Sequence, residues 1–160
     1  MVKSSHLMAA AATLGMLACQ PTTPDASAAT QTGPDVEYLT TPEFAARGFP
    51  FSEAVRVGSM LYLSGQVGII SGTAEKIVGG IQPETRQTLE NIQAVLERYG
   101  SSMDRIVKCT IMIDDMAEWP AMNEVYAEFF PGPKPVRSAF GADGLALGAA
   151  VEIECWATVG

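Results

Sequence analysis

Histidine is almost missing from this chain: among its 160 residues there is one, His6, at the extreme N-terminus. A folded domain downstream of it can hold neither a Ser-His-Asp triad nor a multi-histidine metal site. Cysteine is nearly as scarce. Cys19, Cys109 and Cys155 make none of the C-x-x-C spacings that bind zinc or form a redox motif, so no metal site is expected. Positive charge is also short, with 10 Lys plus Arg against 18 Asp plus Glu and a formal net charge of -8. That balance repels phosphate backbones and argues against bulk nucleic-acid binding. Long apolar runs are missing too: the stretch from Leu7 to Ala18 is too short to span a bilayer.

What is present is enough for one ordinary globular domain, since 48% of the residues are hydrophobic. The first 19 residues, MVKSSHLMAAAATLGMLAC, read as a signal peptide, with Lys3 as its positive start and Leu7 to Ala18 as its apolar stretch. Met16-Leu17-Ala18-Cys19 resembles the bacterial lipobox, which makes Cys19 the expected site of lipidation. Cleavage after Ala26-Ser27-Ala28, as in simple secretion, is the competing reading. Either way the expected location is outside the cytoplasm, in a bacterial periplasm, as a membrane-anchored lipoprotein if Cys19 is modified. Residues 20–35, rich in Pro, Thr, Ala and Ser, read as a disordered tether that cannot offset its own ordering entropy. The folded domain is expected over residues 36–160.

Within it, Val36 to Leu39 is a short strand. Ala54 to Val57 and Met60 to Ser64 flank Gly58-Ser59, a two-residue turn that joins antiparallel strands. Leu89, Ile92, Leu96 and Tyr99 share one face of a helix expected over 83–99, with Gly100 just past its end. Arg105 to Ile113 is a strand. A second helix over 117–130 carries Met122, Val125, Tyr126 and Phe129 inward, and Trp119, Tyr126, Phe129 and Phe130 read as helix core. Pro135 to Phe140 and Val151 to Trp156 are the last strands. The fold class is therefore α+β: a mixed sheet of about six strands with two helices on one face. The other face, left uncovered, calls for oligomerisation. Cys109 and Cys155 read as thiols buried in strands, with a disulfide between them as the alternative in an oxidising compartment.

The two terminal strands carry charge where apolar residues are usual. Alternation puts Glu152, Glu154 and Trp156 on one face of their strand, and Arg137 with Ala139 on one face of theirs. An arginine and a glutamate on nearby strands make either a structural ion pair or a carboxylate-binding site with an adjacent base.

Six stretches carry a resemblance: Phe51 to Gly58, Tyr62-Leu63-Ser64-Gly65-Gln66, Thr85 to Ile92, Asn123 to Phe130, Pro135-Val136-Arg137-Ser138 and Val151-Glu152-Ile153-Glu154. In order, they resemble the RidA/YjgF family of reactive-intermediate deaminases. The resemblance implies a chorismate-mutase-like fold and a homotrimer with clefts between subunits. It also implies hydrolysis, without a cofactor, of 2-imino and enamine acids to 2-oxo acids and ammonia. It assigns the substrate carboxylate to Arg137, the water to Glu152, and the cleft lining to Ser64 and Gly65. Phe51 stands where the best-studied deaminases have the tyrosine of a G-P-Y motif, and Ala139 where they often have cysteine or threonine. A trimer that binds a small carboxylate without turning it over is the alternative function. Apart from its own copies, the expected partner is a small imino or oxo acid. A membrane would be met only through a lipid on Cys19.

Overall fold

The computed structural model describes residues 33–70, 72–73, 75 and 77–160. The expected signal peptide, the Cys19 lipidation site and most of the tether lie outside the described residues. Among the described residues thirteen elements follow one another, seven of them strands.

β1 (Val36–Leu39), β2 (Ala54–Val57) and β3 (Met60–Leu63) form an antiparallel meander. Gly58 takes φ 56 in the β2–β3 turn, a left-handed conformation that a side chain resists. β4 is only Gln66–Val67. β5 (Ile106–Ile113), β6 (Val136–Gly141) and β7 (Val151–Thr158) complete one sheet in the order β1-β2-β3-β7-β5-β6, with β4 also on β7. β5 and β6 are parallel; the other pairings are antiparallel.

Three α-helices join the strands: the one-turn α1 (Pro42–Ala45), α2 (Ile81–Arg98) and α3 (Trp119–Glu128). α2 begins two residues before the expected start, so Pro83 falls in its first turn, where the N–H it lacks has no partner to lose. The Asp115 carboxylate accepts from Ala117 N at 2.8 Å and opens the 3-10 turn that feeds α3.

The core forms between the helices and one sheet face. Leu89, Ile92, Leu96 and Met122 from the helices meet Leu61, Ile111, Ile113 and Ile153 from the strands, all fully buried. Burying each such side chain is worth about 1.5–3 kcal/mol. Trp119 departs from the expected helix core and is exposed. The opposite sheet face has no covering element among the described residues, and Val36, Tyr38, Val136 and Phe140 project from it exposed.

Cys109 and Cys155 are a directly opposed pair on β5 and β7, joined by a disulfide. The expectation of free buried thiols is therefore corrected. Cysteines facing each other across an antiparallel pair have their Cβ atoms within bonding reach. A spacing of 46 residues in the chain gives no hint of that register.

Candidate active site

Arg137 sits on the edge strand β6 and pairs in register with Cys109. It therefore shares the helix-covered face, where α3 supplies its neighbours. Arg137 Nη1 donates to Asn123 Oδ1 at 2.7 Å, and the guanidinium carbon lies 4.8 Å from the centroid of the Tyr126 ring. Asn123 and Tyr126 stand three residues apart on α3, so both reach the same side. No carboxylate pairs with Arg137 among the described residues. Beside it opens a cavity of about 260 Å³, lined by Asn123, Tyr126, Phe130, Lys134 and Arg137 among others. Lys134 Nζ also donates to Phe130 O at 2.5 Å, at the end of α3. The charged lining of this cavity is wholly positive, and a planar guanidinium with spare N–H groups suits a carboxylate. Ala139 lies on the same face as Arg137, half-buried and level with Ile111.

Glu152 lies on the other side of the sheet. β7 alternates buried Val151, Ile153, Cys155 and Ala157 with half-buried Glu152, Glu154, Trp156 and Thr158. Because Cys155 faces the helices, Glu152 faces away from them and from Arg137. The expectation that two nearby strands bring these side chains together is thus corrected for a single chain. Burial, and then the nearby Glu154 charge, push the Glu152 carboxyl above the ordinary range. Trp156 Nε1 donates to Glu154 Oε1 at 3.1 Å, which ties down that second carboxylate.

Gly65 packs directly on Glu152. A Cβ added there would stand 2.0 Å from Glu152 Oε1, so only glycine leaves the carboxylate where it is. Ser64 Oγ donates to Ser52 O at 2.7 Å. Its proton is committed, and what it can offer a ligand is an acceptor oxygen. A second cavity, about 530 Å³, is lined by Ser64, Gly65, Phe51, Tyr38, Tyr62 and Glu154 among others. Phe51 is exposed and stacks on Phe49 at 5.2 Å between ring centroids.

The expected site residues thus fall into two groups. Arg137 and Ala139 stand at the β6 edge on the helix side. Glu152, Gly65, Ser64 and Phe51 gather around the turn after β3 and the face without helices. Asn123, Tyr126 and Lys134 were given no site role by the sequence. The one signal for them was a polar Asn123 three residues before Tyr126 on an otherwise apolar helix face.

Residues 41–159 match the family model described as endoribonuclease L-PSP. The chain is 36% identical over 123 residues to Reactive Intermediate Deaminase A, chloroplastic, of Arabidopsis thaliana, covering 77% of this chain and 66% of that protein. It is 44% identical over 105 residues to a 2-iminobutanoate/2-iminopropanoate deaminase of Dermatophagoides farinae, covering 66% and 82%. Among solved structures, TdcF of E. coli with bound serine matches with a TM-score of 0.66 at 32% identity, over 70% of this chain and 90% of that one.

Proposed function

From the chain's membership of the endoribonuclease L-PSP family, the RidA/YjgF family, we propose that it hydrolyses 2-imino and enamine acids to 2-oxo acids and ammonia. The observation that carries this reading is Arg137: a positively lined pocket, a guanidinium held by Asn123, and no carboxylate partner among the described residues.

The reaction asks little beyond orientation and proton transfer. Arg137 holds the substrate carboxylate, which fixes the imine carbon. Glu152 takes a proton from water as the water adds to that carbon and passes it to the imine nitrogen; it then takes the proton of the new hydroxyl and passes it to the amine, which leaves as ammonia as the carbonyl forms. A carboxyl raised above its ordinary range is better matched to both tasks than an exposed one. Ser64 accepts from the substrate or from that water. Phe51 contributes its ring to the cleft and no hydroxyl, and Ala139 contributes no thiol.

Arg137 and Glu152 face opposite ways in one chain, so a single substrate meets both only where two copies join. Three copies, each lending Arg137 to one cleft and Glu152 to the next, satisfy that geometry and cover the exposed Val36, Tyr38, Val136 and Phe140. The buried Cys109–Cys155 disulfide supports an exported protein, because such bonds persist in oxidising compartments. A lipid on Cys19 would hold it at a membrane. Cys19→Ser should then move the protein from the membrane fraction to the soluble fraction of the periplasm.

The test supplies the full chain with imines made in situ by an amino-acid oxidase and follows ammonia release. The reading requires acceleration that Arg137→Ala lowers at least about tenfold. Acceleration by neither protein, with Arg137-dependent binding of 2-oxo acids, would favour the carboxylate-binding alternative.

A further inference from the structure

Phe44 on α1 and Phe49 and Phe51 in the segment leading to β2 form one cluster of rings. Phe44 lies 5.4 Å from Phe49 and 5.8 Å from Phe51, centroid to centroid, and Phe49 stacks on Phe51. Yet Phe49 and Phe51 are 45% and 52% exposed. Contacts between rings hold the two side chains in place but leave about half of each in water. A fixed, uncovered ring gains by receiving another apolar group.

The place of the Phe51 ring decides which group. With Pro50, Val55 and Tyr62 it lines the cavity of about 530 Å³ that also reaches Ser64 and Gly65. Gly65 is the residue whose missing Cβ leaves room for the Glu152 carboxylate, so the apolar wall and the proposed proton carrier meet at one glycine. Val55 and Tyr62 are opposed on β2 and β3, and Tyr62 packs edge-to-face with Trp156 at 5.1 Å. The wall is thus assembled before any ligand arrives. Its cavity is about 530 Å³ against about 260 Å³ beside Arg137.

A 2-imino acid has a carboxylate, an imine carbon and a side chain. The proposed function gives the first to Arg137 and the second to Glu152. The third is where one imino acid differs from another, and the methyl group of 2-iminopropanoate is too small to cover a ring-lined wall.

We infer that the wall built on Phe51 is the side-chain subsite of the cleft, and that it selects 2-imino acids with aromatic or large branched side chains. Phe51 and Tyr62 take the ring of such a side chain, and Pro50 and Val55 pack on its aliphatic part. This rests on the reading of the cavity at Ser64 and Gly65 as part of the substrate cleft.

The test measures kcat/KM on the full chain for imines made in situ from phenylalanine, leucine and alanine, in the wild type and in Phe51→Ala. Calorimetry with phenylpyruvate and pyruvate accompanies it. The expected result is kcat/KM roughly 5- to 30-fold higher for the phenylalanine imine than for the alanine imine, the scale of a phenyl group leaving water in a half-open groove. The leucine imine should fall between them. Phe51→Ala should shrink the phenylalanine-to-alanine ratio at least about fivefold. A ratio does not depend on how much of the protein is folded, so lost stability cannot mimic that result. Phenylpyruvate should bind the wild type more tightly than pyruvate by a similar factor. A wild-type ratio near one, or one that favours the alanine imine, overturns this inference and leaves the deaminase reading standing. A preference for the phenylalanine imine that survives Phe51→Ala puts the side chain elsewhere and overturns it too. If no imine is hydrolysed faster, the deaminase reading falls and calorimetry still decides the wall: tighter phenylpyruvate binding that needs Phe51 supports it, and phenylpyruvate no tighter than pyruvate overturns it.

Discussion

Arg137 and Glu152 leave the same sheet on opposite faces, Arg137 level with Cys109 across one side of β5 and Glu152 level with Met112 across the other. Every element of the functional account follows from that separation. An arginine with no carboxylate partner among the described residues is open to a ligand, and under the proposed function a glutamate on the face without helices serves a cleft shared with a second copy.

Arg137→Ala should lower kcat/KM by roughly 10- to 150-fold, the scale of about 1.5–3 kcal/mol for hydrogen bonds to a charged group. Arg137→Lys should recover only part of this, because an ammonium cannot make the planar two-point contact. Steady-state kinetics on in situ imines checks both.

Gly65→Ala should cost activity without costing the fold. The Gly65 backbone lies outside the left-handed region, so alanine fits the main chain, but its Cβ must push the Glu152 carboxylate aside. Lower kcat with an unchanged Tm is the expected result. An unchanged kcat would mean that the position of Glu152 does not matter.

Glu152→Gln should reveal the penalty on the charged carboxyl. A folded-state pKa raised above the unfolded one gives stability that is full below the unfolded value and is lost as pH rises through the folded value. The wild type therefore pays at neutral pH what the amide does not. Thermal melts should show the glutamine variant more stable near pH 7, with its advantage shrinking as pH falls through the raised folded-state value and gone once pH is below the ordinary carboxyl range.

Removing the disulfide by Cys109→Ala with Cys155→Ala should destabilise the protein by about 2–5 kcal/mol, since the bond closes a loop of 46 residues. Urea unfolding of the oxidised and substituted proteins measures it. A smaller loss is expected for Glu53→Ala, about 1–3 kcal/mol. Glu53 is buried and ion-paired with Arg98, and it accepts from the Tyr99 hydroxyl at 2.7 Å, joining the start of β2 to the end of α2. Arg98 keeps access to solvent, so removing Glu53 does not strand a charge.

Much of the fold was legible because the local signals agree. Gly58-Ser59 marks the hairpin, the spacing of Leu89, Ile92 and Leu96 marks α2, and Val151 to Ala157 alternate without a break. β4 was not legible: two residues carry no period, and they are strand only because β7 lies beside them. The sequence leaves the disulfide as one of two readings of Cys109 and Cys155, since strand register is a tertiary fact. Arg137 and Glu152 could each be assigned to a face of its own strand, but relating the two faces needs β5 between them. The helical position of Tyr126 reads as core, and it is buried; that its hydroxyl has no partner among the described residues emerges only when every neighbouring donor and acceptor is known.

The central claim is that Arg137 of one copy and Glu152 of another act on one substrate. Arg137→Ala and Glu152→Ala proteins should each be strongly impaired alone. Co-expressed in equal amounts and assembled as mixed trimers, they should regain up to about a quarter of wild-type activity, because one subunit interface in four then joins an intact arginine to an intact glutamate. Mixed trimers no more active than either parent would contradict the account.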